Sequence, residues 1–252
     1  MLEFFLLGEL YILYQGAELP FVAPKASQVL ALLLLQANRP VDLQTIIEEL
    51  WNGSPPRSAV TTAQTYIYQL RKMFHREVRE SAAGILLTRR ERSYLLRIQV
   101  DQLDVAQFEQ AVGSARAFLD AGRVEEALAR VQNALSIWRG RALADIPLGP
   151  HLEAHVVRLE DIRIQALELR VEAEMQLGRH REMIADLRSV TAAHPLNEWF
   201  YEQLMRALSL SGRRGEALQV YQDLRHLLGE ELGIDPSPAL QRMQYEVLNL
   251  PA

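Results

Sequence analysis

The chain predicts an α+β first half followed by an all-α second half, on three observations. Its first 22 residues, "MLEFFLLGELYILYQGAELPFV", are rich in strand formers and broken by Gly8 and the Gln15-Gly16 pair. A second strand-rich stretch, "GILLTRRERSYLLRI", closes the first half as two strands around a charged turn. From about Val100 onward the strand pattern disappears, and three segments align with one another: "AGRVEEALARV", "LGRHREMIADL" and "SGRRGEALQVY".

Taken in order, the opening stretch predicts two or three short strands. "PKASQVLALLLLQANR" predicts a helix with Pro24 near its start and a polar Asn38-Arg39-Pro40 stop. "VDLQTIIEELW" predicts a shorter helix, with Asp42 placed to cap it ahead of Leu43, Ile46, Ile47 and Leu50. "NGSPPRS" is a turn whose proline pair suits helix initiation. A long helix follows, "AVTTAQTYIYQLRKMFHR", with Val60, Ala63, Ile67, Leu70 and Phe74 forming an apolar stripe at spacings of three and four. Two helices joined by a short Gly/Pro turn make a helix-turn-helix, and a terminal hairpin tipped with arginines makes a wing.

In the second half, Gly122, Gly178 and Gly212 stand at equivalent places in the three aligned segments. The last two lie 34 residues apart, the period of tetratricopeptide helix pairs. Each Gly-Arg is expected between helices, because glycine tolerates the left-handed backbone of a tight turn. Glu126, Glu182 and Glu216 recur in register, and "SIWRGRALADIPLGP" is expected as a loop inserted in the first pair.

Composition narrows the functional classes. There is no cysteine, which excludes disulfides, thiolate metal sites and cysteine nucleophiles, and fits a reducing cytoplasm. The longest apolar run, Val29 to Leu35, is far short of the roughly 20 residues of a membrane span, and no secretory signal is visible. The net charge of −5 hides an asymmetry: residues 1–100 carry a balance of +2 and residues 101–252 one of −7. Between Arg71 and Arg97 eight basic residues face three acidic ones, so the positive charge sits where the helix-turn-helix and wing are.

These elements carry a resemblance. Residues 1–97, above all "YIYQLRKMF" and "LLTRRERSYLL", resemble the winged-helix DNA-binding domain of response-regulator transcription factors. Residues 98–252, with "LSIWRGRALADI", "HPLNEWFYEQLMRAL" and "LGEELGIDPSPALQRM", are similar to the bacterial transcriptional activator domain. Together they look like the Streptomyces antibiotic regulatory protein family. That resemblance implies a pathway-specific activator that binds direct repeats in double-stranded promoter DNA and recruits RNA polymerase holoenzyme. A homodimer lying side by side on the repeats is expected, in the cytoplasm at the nucleoid. The competing expectations are a helical-repeat scaffold or ligand sensor using its winged half to bind protein, and a repressor with the same DNA surface.

The expected DNA-facing residues follow from a helical wheel. Ser58, Thr61, Thr62, Thr65, Tyr68, Gln69, Lys72 and Arg76 fall on one face, opposite the apolar stripe and without an acid among them. A carboxylate there would be pressed against phosphates. A rod of about 28 Å can lie along a major groove. Threonine offers a hydroxyl and a methyl, and glutamine can pair with adenine, so Thr61, Thr62, Thr65 and Gln69 are the expected base readers. Arg57, Tyr68, Lys72 and Arg76 are placed for phosphates, with Lys25 at the start of the first helix as a further candidate. In the wing, Arg89, Arg90 and Arg92 could grip backbone or enter a minor groove; the tip lacks the glycine common in the family. Arg71 lies nearer the apolar side, where an ion pair within the fold competes with DNA.

Other signals carry no chemistry. His151 and His155 share a helix face, but Glu153 is misplaced for a zinc-protease base and no third ligand is evident, so helix surface is expected there rather than metal. No phosphate loop or nucleophile elbow is present. Trp51, Trp138 and Trp199 read as packing residues. No enzyme activity, metal or cofactor is expected.

Overall fold

The computed structural model describes residues 2–20, 23–78, 86–89 and 92–249, with 86–89 as backbone. Strands β1 (Leu2–Phe5), β2 (Tyr11–Tyr14) and β3 (Ala17–Glu18) form an antiparallel sheet in that order. Helices α1 (Pro24–Leu35), α2 (Leu43–Trp51) and α3 (Ala59–Glu77) follow. Strand β4 (Pro40–Asp42), between α1 and α2, was not expected from the sequence. It pairs with β6 (Ser93–Leu96), which pairs in turn with β5 (Leu86–Arg89), so the wing hairpin belongs to a three-stranded antiparallel sheet. The proline at Pro40 lies at the first position of an edge strand, where its missing N–H leaves no gap in the ladder.

The helix boundaries match the sequence signals better than the caps do. Pro24 occupies the first turn of α1, and Asp42 and Ser58 hold the N-cap positions of α2 and α3, yet neither side chain accepts a backbone N–H of its helix. Asn52 and Gly53, at φ 45° and 82°, reverse the chain after α2. The helices close over a core in which Phe4 of β1 meets Phe74 of α3 edge to face at 6.3 Å, with Leu30, Ile46, Ile67 and Leu70 fully buried around them.

Helices α4 (Asp104–Asp120), α5 (Val124–Ser136), α6 (Pro150–Gln176), α7 (His180–Ala193), α8 (Glu198–Leu210), α9 (Arg214–Glu231) and α10 (Pro238–Asn249) complete the chain, after a 3₁₀ turn at Val100–Gln102. Two compact units result: residues 1–114 with 130–166, and residues 115–129 with 167–252.

Two buried carboxylates explain why helical segments far along the chain belong to the first unit. Asp104 accepts from the backbone N–H groups of Leu6 and Leu7 at 2.9 and 3.0 Å, and pairs with Arg139 at 3.1 Å. Burial pushes its carboxyl up, while those N–H groups and Arg139 hold it down. Glu49 of α2, 1% exposed, accepts from the N–H groups of Gly149, His151 and Leu152 at 2.6, 2.9 and 3.0 Å, capping the start of α6 from outside. The stretch expected as an inserted loop is a loop, and it is docked on the β1–β2 turn. Arg139, Leu143 and Ala144 donate their N–H groups to the carbonyls of Leu7, Leu6 and Gly8, and Leu10 donates to Asp145. The Arg139 guanidinium lies 5.0 and 4.9 Å from the stacked rings of Phe5 and Tyr11.

In the second unit α7, α8, α9 and α10 pack in succession as helical hairpins. The three Gly-Arg turns have one geometry. Gly122, Gly178 and Gly212 stand at φ 73°, 75° and 76°, and the arginine after each donates its N–H to the carbonyl five residues back. That is the Schellman end of a helix, which requires a left-handed residue. The recurring acids differ in use: Glu126 and Glu216 pair with Arg123 and Arg213 of their own turns, whereas Arg179 pairs with Glu174 at 3.1 Å. Gly212 has open space where a Cβ would stand, so its cost on substitution is conformational alone. Gly212→Ala is expected to lower stability by about 1 kcal/mol, read by urea denaturation with an unchanged slope.

Candidate nucleic-acid interface

Helix α3 buries Ala59, Ala63, Ile67, Leu70, Met73 and Phe74. The other side faces outward from residue 57 to residue 76, with Arg57, Thr61, Gln64, Thr65, Tyr68, Lys72, His75 and Arg76 all exposed. Apart from Val60 at its edge, only polar and cationic groups appear within it until Glu77, which pairs with Arg76 at 2.6 Å. Packing on α1 and α2 fixes the orientation, because the small residues Ala59 and Ala63 let α3 approach while Ile67, Leu70 and Phe74 fill the core.

The structure distinguishes among the expected base readers. Thr61 and Thr65 are exposed, whereas Thr62 and Gln69 lie on the flank and are half-buried. Thr65 donates its hydroxyl to the Thr61 carbonyl at 2.9 Å, so toward a ligand it offers lone pairs and a methyl. Thr62 and Ser58 hold their hydroxyls 3.5 Å apart. The Oε1 atom of Gln69 is buried with no hydrogen-bond partner among the described residues.

Val60 corrects the expected apolar stripe: it is 50% exposed, on the outward edge, and Ala59 takes the inner position instead. Gln64 was missed, although its spacing from Thr61 and Tyr68 puts it on their face and the signal lay in the sequence. Among the phosphate candidates, Tyr68 is 64% exposed, and Arg57 and Lys72 carry exposed charge.

Lys25 is placed otherwise than expected. Its ammonium donates to the Leu50 carbonyl at 2.7 Å and to Gln28 Oε1 at 3.2 Å. It thus satisfies an unpaired carbonyl at the C-terminal end of α2, where positive charge is favoured. Gln28 passes the network on, donating to the backbone carbonyl and carboxylate of Glu49 at 2.9 and 3.0 Å. Arg71 is also structural, with its guanidinium 5.9 Å from the Tyr94 ring of β6. In the wing, Arg92 is exposed and its carbonyl accepts from the Leu43 N–H at 2.7 Å, tying the hairpin to α2. Arg90 lies outside the described residues, and Arg89 is described as backbone in β5.

His151 stands 3.3 Å from Glu48 of α2, which with Gln44 holds the Glu48 carboxyl below its ordinary range. Among the described residues no cluster of His, Asp and Glu is arranged to hold a metal ion, and no helix is long and apolar enough to cross a membrane.

Comparison with known proteins adds a second line. Residues 19–96 match the family described as transcriptional regulatory protein, C terminal, and residues 103–248 match the bacterial transcriptional activator domain. Regulatory protein DnrI of Streptomyces peucetius is 37% identical over 96% of this chain and 90% of its own length. Regulatory protein AfsR of Streptomyces coelicolor is 37% identical over 98% of this chain, which spans only 24% of it. The solved structure of Mycobacterium tuberculosis EmbR in complex with a low affinity phosphopeptide superposes with a TM-score of 0.92 at 32% identity, covering 100% of this chain and 66% of that one. A winged helix-turn-helix followed by helical repeats, with both family segments in order and a full-length relative, places the chain in the Streptomyces antibiotic regulatory protein family of DNA-binding transcription regulators.

Proposed function

We propose that this regulator is a pathway-specific activator of a secondary-metabolite gene cluster, that it reads direct repeats in promoter DNA through α3, and that it acts there with RNA polymerase. The carrying observation is the outward face of α3: a row of exposed polar and cationic side chains from Arg57 to Arg76, free of acid, on a helix whose opposite side is the domain core. Thr61, Gln64 and Thr65 are assigned to base edges, with Thr62 and Gln69 at the flank of the same groove. Arg57, Tyr68, Lys72 and Arg76 are assigned to phosphates, with Arg89, Arg90 and Arg92 as the wing's contribution. The division of labour falls near residue 97, the winged half reading DNA and the helical half serving polymerase and self-association, inside the cytoplasm. One small module of this kind binds weakly, so two protomers side by side on adjacent repeats raise the effective concentration of each.

Fluorescence anisotropy with promoter fragments from the gene's own neighbourhood tests this. A fragment carrying two repeats is expected to bind at least about 1,000-fold more tightly than random duplex, with log affinity falling linearly in log salt. A fragment cut to one repeat is expected to lose most of that advantage. Equal affinity for cognate and random duplex would sink the reading. In vitro transcription with purified polymerase then decides the output: more transcript means activation, and less means repression by the same surface.

A further inference from the structure

We propose that the cleft between the end of α1 and the flank of α6 binds a small amphipathic monoanion, an organic acid with an apolar body. The cleft encloses about 580 Å³, within the range of about 300–1,000 Å³ typical of small-molecule sites. It is built from three pieces of the first compact unit: the turn that ends α1, the linker from Ile98 to Leu103, and one face of α4 and α6. Asn38 fixes its mouth. That residue, at φ 64°, donates its amide to the Ile98 carbonyl at 2.9 Å and accepts from the Ile98 N–H at 3.2 Å, so turn and linker are pinned together. The site is therefore preformed, which spares a ligand the cost of ordering it.

The charge pattern selects the ligand. Four ionisable side chains line the cleft: Arg39, Glu109, His155 and Arg158. Glu109 and Arg158 face each other at 2.7 Å and neutralise one another. His155 is half-buried and has no hydrogen-bond partner among the described residues. Burial, with the charges of Arg158 and His151, pushes its imidazole below the ordinary histidine range, against a smaller pull from Glu109 and Glu49, which favours the neutral ring. Arg39 is exposed at the rim, with no acidic partner among the described residues. What remains is one uncompensated guanidinium and one unpaired imidazole beside apolar wall from Ala37, Val100 and Ala106. A single carboxylate, sulfonate or phenolate satisfies the cation, while the body of the molecule covers the wall. A cation would meet the uncompensated Arg39, and a second negative charge would find no second free cation, since Glu109 already occupies Arg158. A ligand there abuts the end of α1, and α1 packs directly against α3.

The test uses the full chain without DNA, so failure of the promoter reading leaves it standing. Titration with 1-anilinonaphthalene-8-sulfonate, an aromatic monoanion, is expected to give saturable single-site fluorescence enhancement. N-phenyl-1-naphthylamine, of similar body but uncharged, is expected to bind at least tenfold more weakly. Ala106→Trp fills the cleft from its half-buried wall position and is expected to abolish binding. Arg39→Ala, at an exposed position that does not bear on folding, is expected to weaken it about tenfold, and circular dichroism checks that both variants stay folded. Equal affinity for the two probes, sulfonate binding that survives Ala106→Trp, or sulfonate affinity that Arg39→Ala leaves unchanged, overturns the assignment.

Discussion

Alanine at Glu49 is expected to lower the thermal midpoint by roughly 6–12 °C, read by differential scanning calorimetry. The carboxylate is 1% exposed and holds three backbone N–H groups at the start of α6, together with the amide of Gln28. Pro150 has no N–H to satisfy, so Gly149, His151 and Leu152 are the donors that depend on it. Without Glu49 those donors stay buried with no acceptor, at about 1–3 kcal/mol each, and α6 loses the negative charge at its N-terminus. Water entering the gap offsets part of this, leaving about 3 kcal/mol for the whole change, which at 2–4 °C per kcal/mol gives the quoted shift. Glu49→Gln keeps one acceptor and the shape, and is expected to lose about half as much. A third variant addresses the close approach itself: a Cβ on Gly149 would stand 2.1 Å from the Glu49 carbonyl oxygen, so Gly149→Ala is expected to destabilise in the same direction. A shift under about 2 °C for Glu49→Ala would mean that α6 is capped by other means.

That clamp also marks the boundary of what was legible in the sequence. Local grammar gave up its content readily: the apolar spacing of α3, the Gly-Arg turns and the strand-rich ends all announce themselves within a few residues, because period and turn chemistry are local properties. Three things were hidden. Glu49 and Asp104 look like ordinary surface acids, since the distant backbone N–H groups they clamp, on Gly149 and on Leu7, lie 100 and 97 residues away respectively. Strand β4 is three residues long and begins with proline, so no alternation reveals it, and only pairing with β6 defines it. The role of Lys25 within the fold was hidden for a related reason: the carbonyl that holds it belongs to a different helix. Within α3 the wheel was right in outline but coarse at its edges. Val60 and Ala59 are adjacent, 100° apart, and which one faces inward depends on how the helix rolls against α1 and α2. The same roll half-buries Thr62 and Gln69 and exposes Gln64.

The roll of α3 has a measurable consequence in binding. Thr61→Ala and Gln64→Ala are each expected to cost about 1–3 kcal/mol on the cognate repeat and little on random duplex, so preference relaxes at one or two base positions. Lys72→Ala is expected to weaken cognate and random DNA together and to reduce the salt slope by about 1, because a phosphate contact releases counterions whatever the sequence. Gln69→Ala separates the flank from the face. Its Oε1 is already buried and unpaired among the described residues, so removing it relieves a buried acceptor, and it is expected to change specificity less than Gln64→Ala while leaving stability unchanged or slightly higher. Competition anisotropy against a panel of single-base operator variants, repeated at three salt concentrations, resolves all four. If Gln69→Ala alters base preference more than Gln64→Ala does, the groove is read by the flank of α3, and the helix sits on DNA rolled toward its C-terminal wing side. If all four variants weaken every sequence equally, α3 contacts phosphate alone and the bases are read elsewhere.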